Sequence, residues 1–225
     1  MSTLGQFLEF SVPAADPGAS LDFYRRLGFS EIRVNDVRPA GYAAVTDGQI
    51  VIGLHGSGLD EPALTFVHPG LARHARALID GGTDLVFQRL DADQFHEVQF
   101  RSPDGHLLQL LEAPTFSVTD DEYPAPVIGR CIKLELGCDS LEDSQTFFER
   151  GGFLGSEGDG DDNILLATPG LSMVLRSPVG ASSATLCFEP TGAWQSLLEE
   201  RGINPRRTGS AWLLTAPEGT PLRLE

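Results

Sequence analysis

Four polar residues stand at alternating positions inside otherwise apolar runs. Glu9 lies in FLEFSV, His55 closes IVIGLH, Thr65 lies in ALTFV and Gln109 lies in HLLQLLE. Alternate residues of a strand share a face, so each of these should stand opposite the larger apolar side chains of its run. A carboxylate, an imidazole, a hydroxyl and a carboxamide gathered on one surface can hold a small molecule by hydrogen bonds. The carboxylate and imidazole can also exchange a proton. A second set has a different character: Lys133 and Glu135 in CIKLELG, Arg176 closing LSMVLR, and Arg223 in PLRLE. It is either an anion site, since a guanidinium grips a carboxylate or phosphate with a bidentate fork, or an internal salt-bridge cluster in which Glu135 neutralises one base and the others reach solvent.

These side chains need strands to carry them, and the chain repeats the required elements. Phe7–Phe29 (FLEFSVPAADPGASLDFYRRLGF) aligns with Lys133–Phe153, and Ala63–Gly82 aligns with Ala184–Gly202; SPDGHLLQLLE and APEGTPLRLE then follow in the same order. A period of this kind marks a duplicated structure. Each unit reads as strand, turn, helix and Gly. Helices are expected near 17–27, 69–80, 140–150 and 190–201. Asp16–Pro17 supplies an N-cap and a proline at the first helical position, Ser140 with Asp143 resembles a capping box, and Pro69 and Pro190 should open the other two. Gly28, Gly81, Gly151 and Gly202 should end them in the left-handed conformation. In the first strand Leu8, Phe10 and Val12 should share the face on the helix, and Phe7, Glu9 and Ser11 the face on a cup formed by a curved sheet. Asp104–Gly105 and Glu218–Gly219 mark turns before the closing strands.

The fold class is therefore α+β, with four βαβββ-type modules. Domain 1 is expected at 1–116 (modules about 1–58 and 60–116), a linker at 117–125 and domain 2 at 126–225 (modules about 126–178 and 182–225). The 32 acidic against 16 basic residues, net −16, exclude nucleic acid and anionic membranes as partners. Cys131, Cys138 and Cys187 form no disulfide or zinc pattern and are expected as buried small hydrophobes. His68, His74, His96 and His106 are expected at the surface. No leader or membrane span is expected, so a cytoplasmic location is, and the Arg-, Ala- and Gly-rich acidic composition is that of GC-rich bacteria.

The run V-P-x-x-D-P-x-x-S-x-x-F-Y-R-x-L-G-F (Val12–Phe29) and the run F-R-S-P-D-G-H-L-L-Q-L (Phe100–Leu110) resemble the opening and closing motifs of the vicinal oxygen chelate superfamily, which holds glyoxalases, bleomycin-resistance proteins and extradiol dioxygenases. The resemblance implies two tandem glyoxalase-like domains with curved mixed sheets. Catalytic members usually hold one divalent metal in the cup. Carried over residue by residue, those ligand positions fall on Phe7, Ala63, Gln109 and near Gly53 in the first half, and on Lys133, Ala184, Val174 and Arg223 in the second. That set implies no metal and no other cofactor; a displaced site from Glu9, His55 and Gln109 is the alternative.

The expected function is binding of a small organic molecule in a cup without metal, with Glu9, His55, Thr65, Gln109, Lys133, Glu135, Arg176 and Arg223 as cup-facing candidates. The alternatives are a metal-dependent lyase, isomerase or ring-cleaving dioxygenase using displaced ligands, and a structural or partner-binding protein. With both copies on one chain, the protein is expected as a monomeric pseudo-dimer or a homodimer.

Overall fold

A computed structural model of the chain describes residues 4–32, 41–114, 122–158, 162–177 and 184–225. Part of the expected linker and the boundary near 182 lie outside the described residues. The first half runs β1 (Gln6–Pro13), α1 (Pro17–Leu27), β2 (Ser30–Ile32), β3 (Tyr42–Thr46), β4 (Val51–His55), β5 (Ala63–Val67), α2 (Leu71–Asp80), β6 (Leu85–Arg89), β7 (Glu97–Arg101) and β8 (Leu107–Leu111). The second repeats it: β9 (Cys131–Gly137), α3 (Leu141–Arg150), β10 (Leu154–Glu157), β11 (Asn163–Thr168), β12 (Leu171–Arg176), β13 (Thr185–Phe188), α4 (Trp194–Glu200), β14 (Arg206–Thr208), β15 (Ala211–Thr215) and β16 (Pro221–Leu224). Each half makes one 8-stranded mixed sheet, ordered β2-β3-β4-β1-β5-β8-β7-β6 and β10-β11-β12-β9-β13-β16-β15-β14. Modules therefore pair in sequence order and are not exchanged between halves.

The helix ends are four copies of one device. Gly28, Gly82, Gly152 and Gly202 all have positive φ. In each case the next residue donates its N–H five residues back: Phe29 to Tyr24, Thr83 to Leu78, Phe153 to Phe148 and Ile203 to Leu198. This is the Schellman closure, which needs a left-handed residue that only glycine adopts without strain. In α2 and α3 it is thus the second glycine of each pair that turns; Gly81 and Gly151 keep negative φ. The starts differ more. Asp16 caps Ala19 N–H and Ser140 caps Asp143 N–H. Pro69 and Pro190 lie outside their helices, which begin at Leu71 and Trp194. The carboxylate of Glu112, at the end of β8, caps α2 instead, accepting from Gly70 N–H at 2.8 Å and Leu71 N–H at 2.7 Å.

One continuous buried cluster joins the two halves. Phe29 meets Phe188 edge-on at 6.0 Å, and Phe66 meets Phe153 at 6.3 Å. Burial on this scale is the main stabilising term. The polar faces of both sheets look away from it. The alternation expected in the first strand breaks once: the ladder of β1 with β5 slips between Phe7 and Glu9, where Phe7 pairs with Phe66 and Glu9 with Thr65. This bulge at Leu8 puts Phe7 into the core, 5% exposed and edge-on to Phe66 at 5.6 Å, not on the cup face. The β9–β13 ladder slips at the same point, with Cys187 opposite Lys133 and Phe188 opposite Cys131, so that Ile132 is the extra residue.

Candidate functional site

Beyond the bulge, the first sheet presents one row across its middle: Glu9 opposite Thr65, Thr65 opposite Gln109, Gln109 opposite Gln99. All four candidates of the first half lie on one face of the sheet, and polar contacts link them. Glu9, 1% exposed, accepts from Ser11 Oγ at 2.8 Å and from Tyr42 Oη at 2.5 Å, and its Oε1 lies 2.9 Å from His55 Nε2. Thr65 donates to Gln109 Oε1 at 3.0 Å and Gln109 Nε2 donates to Glu97 at 2.5 Å; the hydroxyl oxygens of Ser11 and Thr65 lie 2.6 Å apart, and one of the two must give up its other acceptor to donate across that contact. Arg89 closes the series on Glu97 at 2.5 Å. Burying a carboxylate demands such partners. Gly53 makes room for it: a Cβ there would stand 2.3 Å from Glu9 Oε1. Tyr42 and Glu97 were not among the sequence candidates, because the register that brings β3 and β7 to the row has no local signal; Ser11, expected on the same face as Glu9, joins them.

In the second half Glu135, 12% exposed at its side chain, is the hub. It accepts from Arg223 Nη1 at 2.9 Å and Nη2 at 2.5 Å, and from Arg176 Nε at 3.1 Å. Glu225, also missed from the sequence, pairs with Lys133 at 2.7 Å and with Arg223 at 2.8 Å. Burial pushes the Glu135 carboxyl up, but hydrogen bonds from Arg223 and the charges of Arg223 and Arg176 outweigh it and hold the group below its ordinary value. Arg223 is held firmly protonated by its bonds to Glu135. The structure holds these three bases in an ion cluster with two acids, Glu135 and Glu225.

The sheet registers also correct the alignment of the halves. Gly53 pairs with Ser11 and Val174 with Glu135; Thr65 pairs with Gln109 and Cys187 with Arg223. Lys133 therefore matches Glu9, Glu135 matches Ser11, Cys187 matches Thr65 and Arg176 matches His55. Phe7 matches Cys131, and neither is a cup residue. Burial pushes the Cys187 thiol up to about 12 and the Cys138 thiol up to about 11, so both are unreactive neutral groups at neutral pH. Cys138 and Cys187 are buried as expected; Cys131 is half-buried. The other histidines are less exposed than expected. His96 lies 3.1 Å from Glu112, His106 Nε2 lies 2.7 Å from Gly137 O across the halves, and His68 stacks on His74 at 4.1 Å.

A catalytic divalent ion needs about three protein ligands of suitable charge and an open position. The row offers one carboxylate whose oxygens already accept from Ser11 and Tyr42, one imidazole beside it, a hydroxyl and a carboxamide. Among the described residues no three His, Cys, Asp or Glu side chains converge as a metal site. In the second half the matching residues are Lys133, Cys187, Arg223 and Val174, of which two are cations. The donor set does not fit the superfamily's metal.

No protein-family model and no curated protein matches the chain. Solved structures do. A catechol 2,3-dioxygenase superimposes with TM-score 0.64 at 14% identity, covering 100% of this chain and 88% of that one. The Mn(II)-bound glyoxalase from Novosphingobium aromaticivorans gives 0.66 at 16% identity, covering 100% and 82%. Homoprotocatechuate 2,3-dioxygenase from Arthrobacter globiformis gives 0.65 at 12%, covering 98% and 79%. The chain shares its fold with these two dioxygenases and this glyoxalase. The motif residues that mark this fold serve as latches between the halves. Glu218 of the P-E-G turn accepts from Ser20 Oγ at 2.7 Å and from Tyr24 Oη at 2.8 Å. Asp104 of the P-D-G turn accepts from Ser144 Oγ and from Asp139 N–H. The two departures from the vicinal oxygen chelate pattern go together: the longer Glu218 meets the phenol of Tyr24, while the shorter Asp104 faces the helix that carries Phe148 in place of tyrosine. No helix among the described residues is long and apolar enough to cross a membrane.

Proposed function

We propose that the protein binds a small organic molecule in the cup of its first half without a metal ion. One observation carries the reading: the row is a continuous series of close polar contacts from Tyr42 through Glu9, Ser11, Thr65 and Gln109 to Glu97, in a fold shared with a Mn(II)-bound glyoxalase. Such a series fixes side chains in one orientation, and a preorganised polar row is what recognition of a small polar molecule needs. His55 at the end of β4 and Tyr42 beside it, rings 4.9 Å apart, form the aromatic wall. No reaction is assigned. The names of the structural neighbours suggest the ligands to try first, catechols and other vicinal diols.

The test is a thermal-shift screen of catechols, α-hydroxyketones and aromatic acids with and without Mn²⁺, Fe²⁺ and Zn²⁺, paired with elemental analysis. Metal-free binding should raise the melting temperature by mass action, and Thr65→Val should remove the shift. About one metal per chain, lost in both Glu9→Ala and His55→Ala, would overturn this reading for that of a metal-dependent lyase, isomerase or dioxygenase using Glu9, His55 and Gln109. No ligand and no metal would leave the structural or partner-binding role.

A further inference from the structure

A second site stands where the halves join. A cavity of about 390 Å³ is lined by Gln49 and Ile50 of the first half, Arg130, Cys131, Ile132 and Lys133 at the start of β9, and Thr168, Gly170, Leu171 and Ser172 of the β11–β12 hairpin. It is separate from the polar row of the first cup. Its volume falls within the range of small-ligand pockets, roughly 300–1,000 Å³. Its lining is one-sided in charge: two cations, three neutral polar side chains (Gln49, Thr168 and Ser172), and no carboxylate, in a chain of net charge −16.

The cations differ in how they are held. Lys133 is neutralised by Glu225 at 2.7 Å. Arg130 is not paired with any acid among the described residues. Its Nη1 donates to the main-chain carbonyl of Asp47 and its Nη2 to that of Tyr123 at 2.7 Å. Two carbonyls orient the guanidinium but do not cancel its charge, and they use two of its five N–H donors. The nearby carboxylate of Asp47 is fully buried and committed elsewhere: Oδ1 accepts from Gln49 N–H and Ile50 N–H at 2.8 Å each, and Oδ2 from Cys131 N–H. A half-buried, rigidly held guanidinium with spare donors, facing a cavity with hydroxyls and an amide, is the arrangement that recognises an anion.

We propose that this cavity binds a small anion, a carboxylate or phosphate, with Arg130 as its anchor and Lys133 as the second cation. Residues from both halves line it, so the ligand would also tie the β3–β4 turn of the first half to β9 of the second.

Isothermal titration of the full chain with inorganic phosphate and, separately, with succinate tests this and separates the two sources of charge. Saturable binding of at least one probe is expected, weakened at least tenfold by Arg130→Gln. Because Arg130 also anchors the turn at Asp47, Ser172→Trp provides a second variant that fills the cavity and touches none of these hydrogen bonds. It should abolish binding while keeping the wild-type melting temperature. Arg176→Gln, a base outside the cavity, should leave the affinity within twofold. Saturable binding of neither probe overturns the proposal. So does binding that survives Ser172→Trp, or that Arg176→Gln weakens as much as Arg130→Gln, since the anion would then sit in the ion cluster of the second cup.

Discussion

Arg223→Ala tests whether the basic residues of the second cup serve stability. Arg223 gives Glu135 two hydrogen bonds, 2.9 and 2.5 Å, and Arg176 gives it one at 3.1 Å. Truncation leaves a carboxylate, 9% exposed as a residue, with a single partner. Hydrogen bonds to charged groups contribute about 1.5 kcal/mol or more each, so two lost bonds give about 3 kcal/mol, at the low end of what breaking a buried pair costs. For a chain of 225 residues that is a fall in melting temperature of roughly 6–12 °C. The pH dependence follows from linkage. Glu135 has its folded pKa depressed, so the unfolded chain binds its proton more readily. The stability this contributes is present above the unfolded carboxyl value, about 4.3, and is lost as pH falls through the folded value. The difference between wild type and Arg223→Ala, measured by urea unfolding, should be full at pH 7 and shrink steadily below pH 4. A difference below about 0.5 kcal/mol at pH 7, or one that does not change with acid, would refute the hub role of Glu135.

Gly53→Ala places a Cβ at 2.3 Å from Glu9 Oε1; it should cost about 1–3 kcal/mol and abolish ligand shifts in the first cup, and a neutral effect in both would show that Glu9 does not rest on this backbone. Tyr24→Phe, which copies Phe148 of the second half, removes one bond to Glu218 and should cost about 1.5 kcal/mol by thermal unfolding, with the cup's ligand affinity unchanged. Sedimentation should show one species of about 24.2 kDa, a monomeric pseudo-dimer; a dimer that persists on dilution would count against it.

The helices and the alternation of the closing strands are readable in the sequence because each rests on local chemistry: a cap, a glycine, a period of two. The site is harder because it depends on register. One extra residue at Leu8 moves Phe7 to the core and leaves Glu9 opposite Thr65. Its twin at Ile132 does the same. A signal was present. The N-caps Asp16 and Ser140 and the Gly-Phe pairs Gly28–Phe29 and Gly152–Phe153 align without a gap, and that alignment puts Glu9 on Lys133. Aligning the strands by their apolar pattern instead opens a two-residue gap. Tyr42, Glu97 and Glu225 carry no such signal, since they reach the cups from strands placed only by long-range pairing.

The corrected equivalence explains why the two cups diverged as they did. At one position the first half holds a carboxylate, Glu9, and the second an ammonium, Lys133; at the next cup-facing position along the strand the first holds Ser11 and the second Glu135. The sign of the charge has moved two residues along one strand, and the surroundings have changed with it. Gly53, which leaves space for Glu9, becomes Val174, while His55 and Gln109 become Arg176 and Arg223, the two bases that Glu135 requires. A half-exchanged cup, such as Ser11→Glu beside Glu9, would place two carboxylates on one face with no added base, and like charges so close cannot both ionise in a buried site. The two halves thus hold two mutually exclusive solutions to burying a glutamate on the same sheet. In the first, neutral donors and a histidine surround it. In the second, fixed cations satisfy it.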